Sequence, residues 1–223
     1  AKLIDWERPF DKVCEYDNPP FANWFVGGRT NLCHNAVDRH LLTRPDQNAL
    51  IFVSTEVDRE QVYSFAQLHA EVQRMAASLQ ALGVKQGDRV LVYMPMIPEA
   101  AFAMLACARI GALHSVVFGG FASVSLASRI EDAEPTVIVS ADAGSRGGKV
   151  VPYKGLLDEA IRLSNHKPAK VLMVNRGLAE MPMTTGRDVN YADLREQHLN
   201  TSVPCVWVDS THPSYTLYTS GTT

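Results

Sequence analysis

The sequence has no apolar run long enough to cross a bilayer. Its longest, Ala100 to Ala108, is bounded by Glu99 and Arg109 and falls far short of the roughly 20 residues a spanning helix needs, so no membrane partner is expected. It also has no excess of charge of one sign. With 21 Lys and Arg against 24 Asp and Glu, no general positive field draws in nucleic acid, and a local patch for a small anionic ligand is what remains. The four cysteines, Cys14, Cys33, Cys107 and Cys205, form no Cys-x-x-Cys pair and are too sparse for a disulfide framework, so reduced thiols in the cytoplasm are expected. The histidines show no His-x-x-x-His or His-Glu-x-x-His spacing, which leaves no metal site to predict. No G-x-S-x-G elbow offers a nucleophile, and Lys149 is followed by Val150 rather than by the Ser or Thr of a Walker loop. The start, Ala1-Lys2-Leu3-Ile4-Asp5-Trp6, has neither an initiator Met nor a secretory h-region, and the last residues break off inside an apparent loop; a piece of a longer protein is expected.

What is present is a globular composition, 46% apolar and 20% charged, in a chain large enough for a full core. Residues 1–45 read as an irregular, Pro- and aromatic-rich wrapping arm ending in a helix from Asn35 to Leu42. Residues 46–223 read as an α/β unit. Short strands at Ala49 to Val53 and Val62-Tyr63 precede a long helix that Ser64 caps, with Gln67 three residues on as in a capping box. Phe65, Leu68, Val72, Met75, Ala76, Leu79 and Leu82 recur on one face of it until Gly83. Strand Arg89 to Met94, helix Glu99 to Ile110, strand His114 to Phe118, helix Val124 to Ala133 and strand Thr136 to Ser140 then alternate. After a loop from Ala141 to Pro152 come helix Lys154 to Ser164, strand Lys170 to Val174, helix Tyr191 to Leu199 and a last strand near Ser214 to Tyr218. Strands apolar on both faces between amphipathic helices predict a doubly wound, mostly parallel sheet, whose ligands sit beyond the carboxyl ends of the strands. Trp24, Phe25 and Phe118 are assigned to the core, since large aromatics mostly supply buried area.

Two segments carry the chemistry of anions. Tyr218-Thr219-Ser220-Gly221-Thr222-Thr223 follows a strand with hydroxyls and a glycine that would let backbone N–H groups approach a phosphate, although by composition alone it is equally a polar turn. Arg146-Gly147-Gly148-Lys149 sets two cations around two glycines, a compact site for a dianion or else a solvated basic loop.

The terminal segment resembles the opening of the phosphate-binding loop of the adenylate-forming superfamily. Trp24-Phe25-Val26-Gly27-Gly28, Asn31, Asn35, Asp38-Arg39-His40, Arg89 to Met96 and His114 to Phe121 are similar to the short-chain acyl-CoA synthetases of that superfamily, over essentially the whole chain. Met94-Pro95-Met96 and Ser140 to Lys149 look more like its propionate-activating members than its acetate-activating ones. The resemblance implies a large N-terminal domain truncated inside the ATP phosphate loop. It implies ATP, Mg²⁺ and coenzyme A as cofactors, a short carboxylate as substrate, and an acyl-adenylate on the way to the thioester. Thr219, Ser220, Gly221, Thr222 and Thr223 would then hold the ATP phosphates. Arg146, Gly147, Gly148, Lys149 and Gly120 would hold the coenzyme, the two cations on its 3′-phosphate. No catalytic residue is assigned, because in that family the acyl pocket, the metal ligands and a mobile domain lie beyond Thr223, and the piece alone is expected to be inactive. The alternatives are a stand-alone, non-enzymatic nucleotide- or coenzyme-binding module, or an acetate-activating ligase.

Overall fold

The structure, a computed structural model, describes residues 3–219. In chain order the strands are β1 (Lys12–Asn18), β2 (Phe21–Val26), β3 (Arg29–Thr30), β4 (Asn48–Ser54), β5 (Arg59–Ser64), β6 (Arg89–Met94), β7 (Leu113–Phe118), β8 (Val137–Ala141), β9 (Ala143–Arg146), β10 (Lys149–Pro152), β11 (Lys170–Val174), β12 (Asp188–Asn190), β13 (Val208–Asp209) and β14 (Tyr215–Thr216). The α-helices are α1 (Leu32–Ala36), α2 (Phe65–Ala81), α3 (Pro98–Ile110), α4 (Ser123–Ala133), α5 (Tyr153–Leu163) and α6 (Tyr191–Gln197).

Six strands form one sheet in the order β12-β11-β8-β6-β7-β14, and every pairing in it is parallel. In β6, Val90 and Val92 join a core with Leu68, Val72 and Met75 of α2 and with Phe102 and Ala103 of α3. Leu91 and Tyr93 point the other way, into a second core with Leu126 and Ile130 of α4 and Leu157 of α5. Burial on both faces is why the strand reads as one unbroken apolar run. Helix α2 starts where its capping box lies: Gln67 N–H donates to Ser64 Oγ at 3.3 Å and Ser64 N–H donates to Gln67 Oε1 at 2.9 Å. Pro98 opens α3, and Gly111, at φ +71°, closes it in the left-handed region that favours glycine.

Four expectations are corrected. The arm is not irregular: β1 and β2 form an antiparallel hairpin. The helix expected over Asn35 to Leu42 is instead α1, capped by Asn31 Oδ1 on His34 N–H at 3.0 Å, followed by a separate 3₁₀ turn at Asp38–His40. The loop expected over Ala141 to Pro152 is a second hairpin, β9–β10. The assignment of Trp24 and Phe118 to the core fails, with 57% and 61% of their surfaces exposed; Trp24 lies on the arm hairpin, and Phe118 ends β7 at the rim of the sheet.

Candidate coenzyme and phosphate site

Gly147 and Gly148 form the turn of the β9–β10 hairpin at φ +58° and +76°, the left-handed pair that a tight two-residue hairpin loop requires. This turn puts Arg146 and Lys149 directly opposite each other, both exposed. A Cβ on either glycine would meet nothing within 4 Å, so the tip is open between the two cations. At the base, the buried carboxylate of Asp142 accepts from the backbone N–H groups of Arg176, Leu178 and Ala179 at 3.0, 2.7 and 3.2 Å. The Arg176 guanidinium donates to Ala143 O and pairs with Glu56, both at 2.9 Å. The hairpin therefore stands on a fully bonded ionic footing, in which a buried charge is matched by donors.

Close packing fixes its lean. Tyr153, the first residue of α5 and 5% exposed, lies between Gly119 and Gly144: a Cβ on them would come within 2.3 and 2.2 Å of its hydroxyl oxygen. Its ring centroid is 5.0 Å from that of Tyr93. Burial pushes the hydroxyls of both rings up, that of Tyr93 to about 12. Tyr93 donates to Phe121 O at 3.2 Å, tying the sheet to the turn after β7.

That turn meets the hairpin. A Cβ on Gly120 would stand 2.8 Å from the Phe118 ring and 3.3 Å from Arg146 Nη1, and the guanidinium carbon of Arg146 lies 6.0 Å from the centre of that ring. Gly120 and Arg146, 26 positions apart, thus form one surface with an exposed aromatic face beside a guanidinium. Such a surface can take a dianion on its cations and a flat ring on Phe118.

The other predicted segment leaves β14, which pairs in parallel with β7. Tyr218 donates to Asp132 Oδ2 at 2.6 Å, and Arg129, almost wholly buried in α4, lies over the rings of Phe121 and Tyr218 at 4.4 and 5.2 Å. Burial, reinforced by the neighbouring carboxylate, raises the Tyr218 hydroxyl. Thr219 is exposed beyond this anchor; Ser220, Gly221, Thr222 and Thr223 lie outside the described residues. Sequence reasoning passed over Asp142, Tyr153 and Arg129, which position the site without belonging to a phosphate motif.

Residues 37–223 match the family model described as AMP-binding enzyme, and residues 1–36 match acetyl-coenzyme A synthetase N-terminus. The chain is 59% identical over its whole length to propionate–CoA ligase of Escherichia coli (strain K12) and 60% identical to propionate–CoA ligase of Salmonella typhimurium, in each case covering 36% of the relative. It is 49% identical to acetyl-coenzyme A synthetase of Methylobacterium radiotolerans, covering 35% of it. Among solved structures, acetoacetyl-CoA synthetase from Streptomyces lividans superposes with a TM-score of 0.85 at 30% identity, over 98% of this chain and 32% of that one. The chain thus spans about a third of the length of the relatives it matches. With the sheet, the match over residues 37–223 and the identity to whole-chain relatives in agreement, the chain belongs to the AMP-binding enzyme family.

Proposed function

We propose that the chain is the N-terminal part of a cytoplasmic acid–thiol ligase that activates a short carboxylate, propionate, with ATP and passes the acyl group to coenzyme A. The observation that carries this reading is the meeting of Arg146, Gly120 and Phe118 under an open Gly147-Gly148 turn. A coenzyme A nucleotide matches it group for group: a 3′-phosphate for Arg146 and Lys149, an adenine for the Phe118 ring, and a backbone at Gly120 without a side chain to block the approach. Identity to two propionate–CoA ligases supports propionate over acetate.

In the first half-reaction a carboxylate oxygen attacks the α-phosphorus of ATP and pyrophosphate leaves with the bonding pair. Thr219 to Thr223 are proposed to donate to the β- and γ-phosphates, where negative charge accumulates. In the second, the coenzyme thiol attacks the acyl carbon and AMP departs, while the hairpin holds the distant 3′-phosphate. Magnesium would neutralise the triphosphate. Asp142 offers it no ligand, since that carboxylate is buried and taken up by three N–H donors, so the described residues at this footing do not fit the metal. Residues 1–45 are proposed as an arm and 46–223 as the α/β unit that carries both phosphate sites. The piece alone is proposed to be inactive.

The test uses the full-length protein. Arg146→Ala should raise the KM for coenzyme A about 10- to 150-fold, as the loss of a hydrogen bond to a charged group predicts, and leave propionate-dependent ATP–pyrophosphate exchange intact. Thr222→Val should slow that exchange roughly 100- to 1,000-fold, the cost of one donor to a developing oxyanion. An Arg146→Ala enzyme that still discriminates fully against dephospho-coenzyme A removes the coenzyme assignment. A protein with no carboxylate-dependent exchange is the stand-alone module instead.

A further inference from the structure

Cys33 and Cys205 lie 172 positions apart in the chain, yet their sulfurs and an Asp38 oxygen all fall within 4.8 Å of one another. Three elements converge to make this contact. Cys33 is on α1, fully buried; Arg109 lies in the last turn of α3; and the segment around Cys205 crosses both, with Val206 N–H donating to Arg109 O at 2.7 Å and Asn31 Nδ2 donating to Val206 O at 2.8 Å. Arg109, 3% exposed, spends its guanidinium on both Asp38 oxygens at 2.9 and 2.8 Å and reaches Cys33 Sγ at 3.5 Å. Asp38 takes both ends of that guanidinium and Cys33 Sγ donates to Asp38 Oδ2 at 3.8 Å, so the two sulfurs lie beside a closed ion pair rather than an open metal site. Both thiols are free.

The two sulfurs are unequal. Cys205 is half-buried, and the hydrogen bond from Cys33, with the charge of Arg109, outweighs burial and the Asp38 carboxylate and pulls its thiol down. Cys33 is pushed up by the same contact and by burial. The half-buried Cys205 is the accessible partner, and the fully buried Cys33, whose thiol donates to Asp38, waits behind it, the arrangement of an attacking and a resolving cysteine.

We propose that Cys33 and Cys205 form a redox-modifiable pair that a peroxide converts to an intramolecular disulfide joining α1 to the segment that leads into β13 and β14. The Cys205 thiolate attacks one peroxide oxygen, the O–O bond breaks, and after protonation the products are a sulfenic acid and water. Cys33 sulfur then attacks the Cys205 sulfur, the S–O bond breaks, and the hydroxide leaves with the Cys33 proton as a second water. Two thiols are oxidised by two electrons and one hydrogen peroxide is reduced to two waters. The sulfurs have to close from within 4.8 Å to about 2.05 Å, a movement two side chains can share.

The full-length protein, reduced and freed of thiol, is treated with equimolar hydrogen peroxide, blocked with N-ethylmaleimide, digested without reductant and read by mass spectrometry. The expected product is a Cys33–Cys205 linked peptide two hydrogens lighter than its parts, lost on addition of dithiothreitol. In Cys33→Ala, Cys205 should be trapped as the dimedone adduct; in Cys205→Ser, Cys33 should oxidise at least tenfold more slowly than in the parent. Amide exchange over residues 203–208 should slow at least tenfold in the oxidised form. Faster oxidation of Cys14 than of Cys205, or a disulfide that links two molecules rather than these two residues, overturns the proposal.

Discussion

Gly144→Ala probes how the coenzyme hairpin is held. A Cβ at 144 would stand 2.2 Å from the Tyr153 hydroxyl oxygen, whereas ordinary contact begins near 3.4 Å, so about 1.2 Å of separation has to be found. Tyr153 cannot give it cheaply. Its ring is packed on Tyr93, and the same oxygen already sits where a Cβ on Gly119 would be 2.3 Å away. Forcing a methyl into such packing costs about 1–3 kcal/mol, and because Gly144 does not need a positive φ the substitution regains about 0.4–1 kcal/mol from the unfolded chain. The net expectation is roughly 0.5–2 kcal/mol of destabilisation, concentrated where β9 meets α5. Tyr153→Phe makes Cζ, at 2.7 Å, the nearest atom and reduces the required movement to about 0.7 Å, so the double variant should be less unstable than the sum of the singles. Gly147→Ala, at the open tip, should show no such coupling to position 153. Denaturation midpoints of the full-length variants and amide exchange of residues 143–152 measure both effects. An unchanged midpoint for Gly144→Ala, or strict additivity with Tyr153→Phe, would refute the wedge.

Two further outcomes follow from the fold. Burial pushes the Asp38 carboxyl up, but hydrogen bonds from His69 and Arg109 outweigh that and hold it well below the usual range. Its contribution to stability is therefore present above the unfolded carboxyl value near 3.9 and fades as pH falls below it; Asp38→Ala should remove about 3–5 kcal/mol at neutral pH by stranding buried Arg109, and should flatten the acid limb of unfolding against pH. Ser64→Ala removes the acceptor for Gln67 N–H and should lower stability by about 1 kcal/mol, read as a midpoint shift; no shift would mean that the capping box contributes nothing to α2.

Elements that carry their own signals were legible. The strand Arg89–Met94 is legible residue for residue because both faces bury apolar side chains, and the Ser64 box and Gly83 bound α2. The β9–β10 hairpin was missed although Gly147-Gly148 is a hairpin turn, because Ala143-Gly144-Ser145-Arg146 has no apolar alternation; the footing at Asp142 and the packing of Tyr153 shape it instead. Strand β12 escaped because Asp188-Val189-Asn190 has one apolar residue, with Asp188 bound to Lys154 and Arg187. Size placed Phe118 in the core, whereas its position at the rim of the sheet leaves it open. The two cations around Gly147-Gly148 single out Arg146, and a family resemblance adds Gly120; that the two lie side by side is a consequence of the fold and could not be read from residues 26 apart.

The pairing of β3 with β13, in which Arg29 lies opposite Asp209, and the bond from Arg29 Nη2 to Trp207 O at 2.8 Å join positions up to 180 residues apart. On a ribosome the arm emerges first but cannot close this contact until residue 208 is made. At roughly 5–20 residues per second that is a wait of about 10 to 35 s. During it Asn31 lacks its acceptor on Val206, while the rings of Trp6, Phe10 and Phe25, which pack within 5.4 Å of one another, come from within the arm itself. The small aromatic knot in the arm thus gives the newborn chain a local structure to hold while its distant partner is still being synthesised.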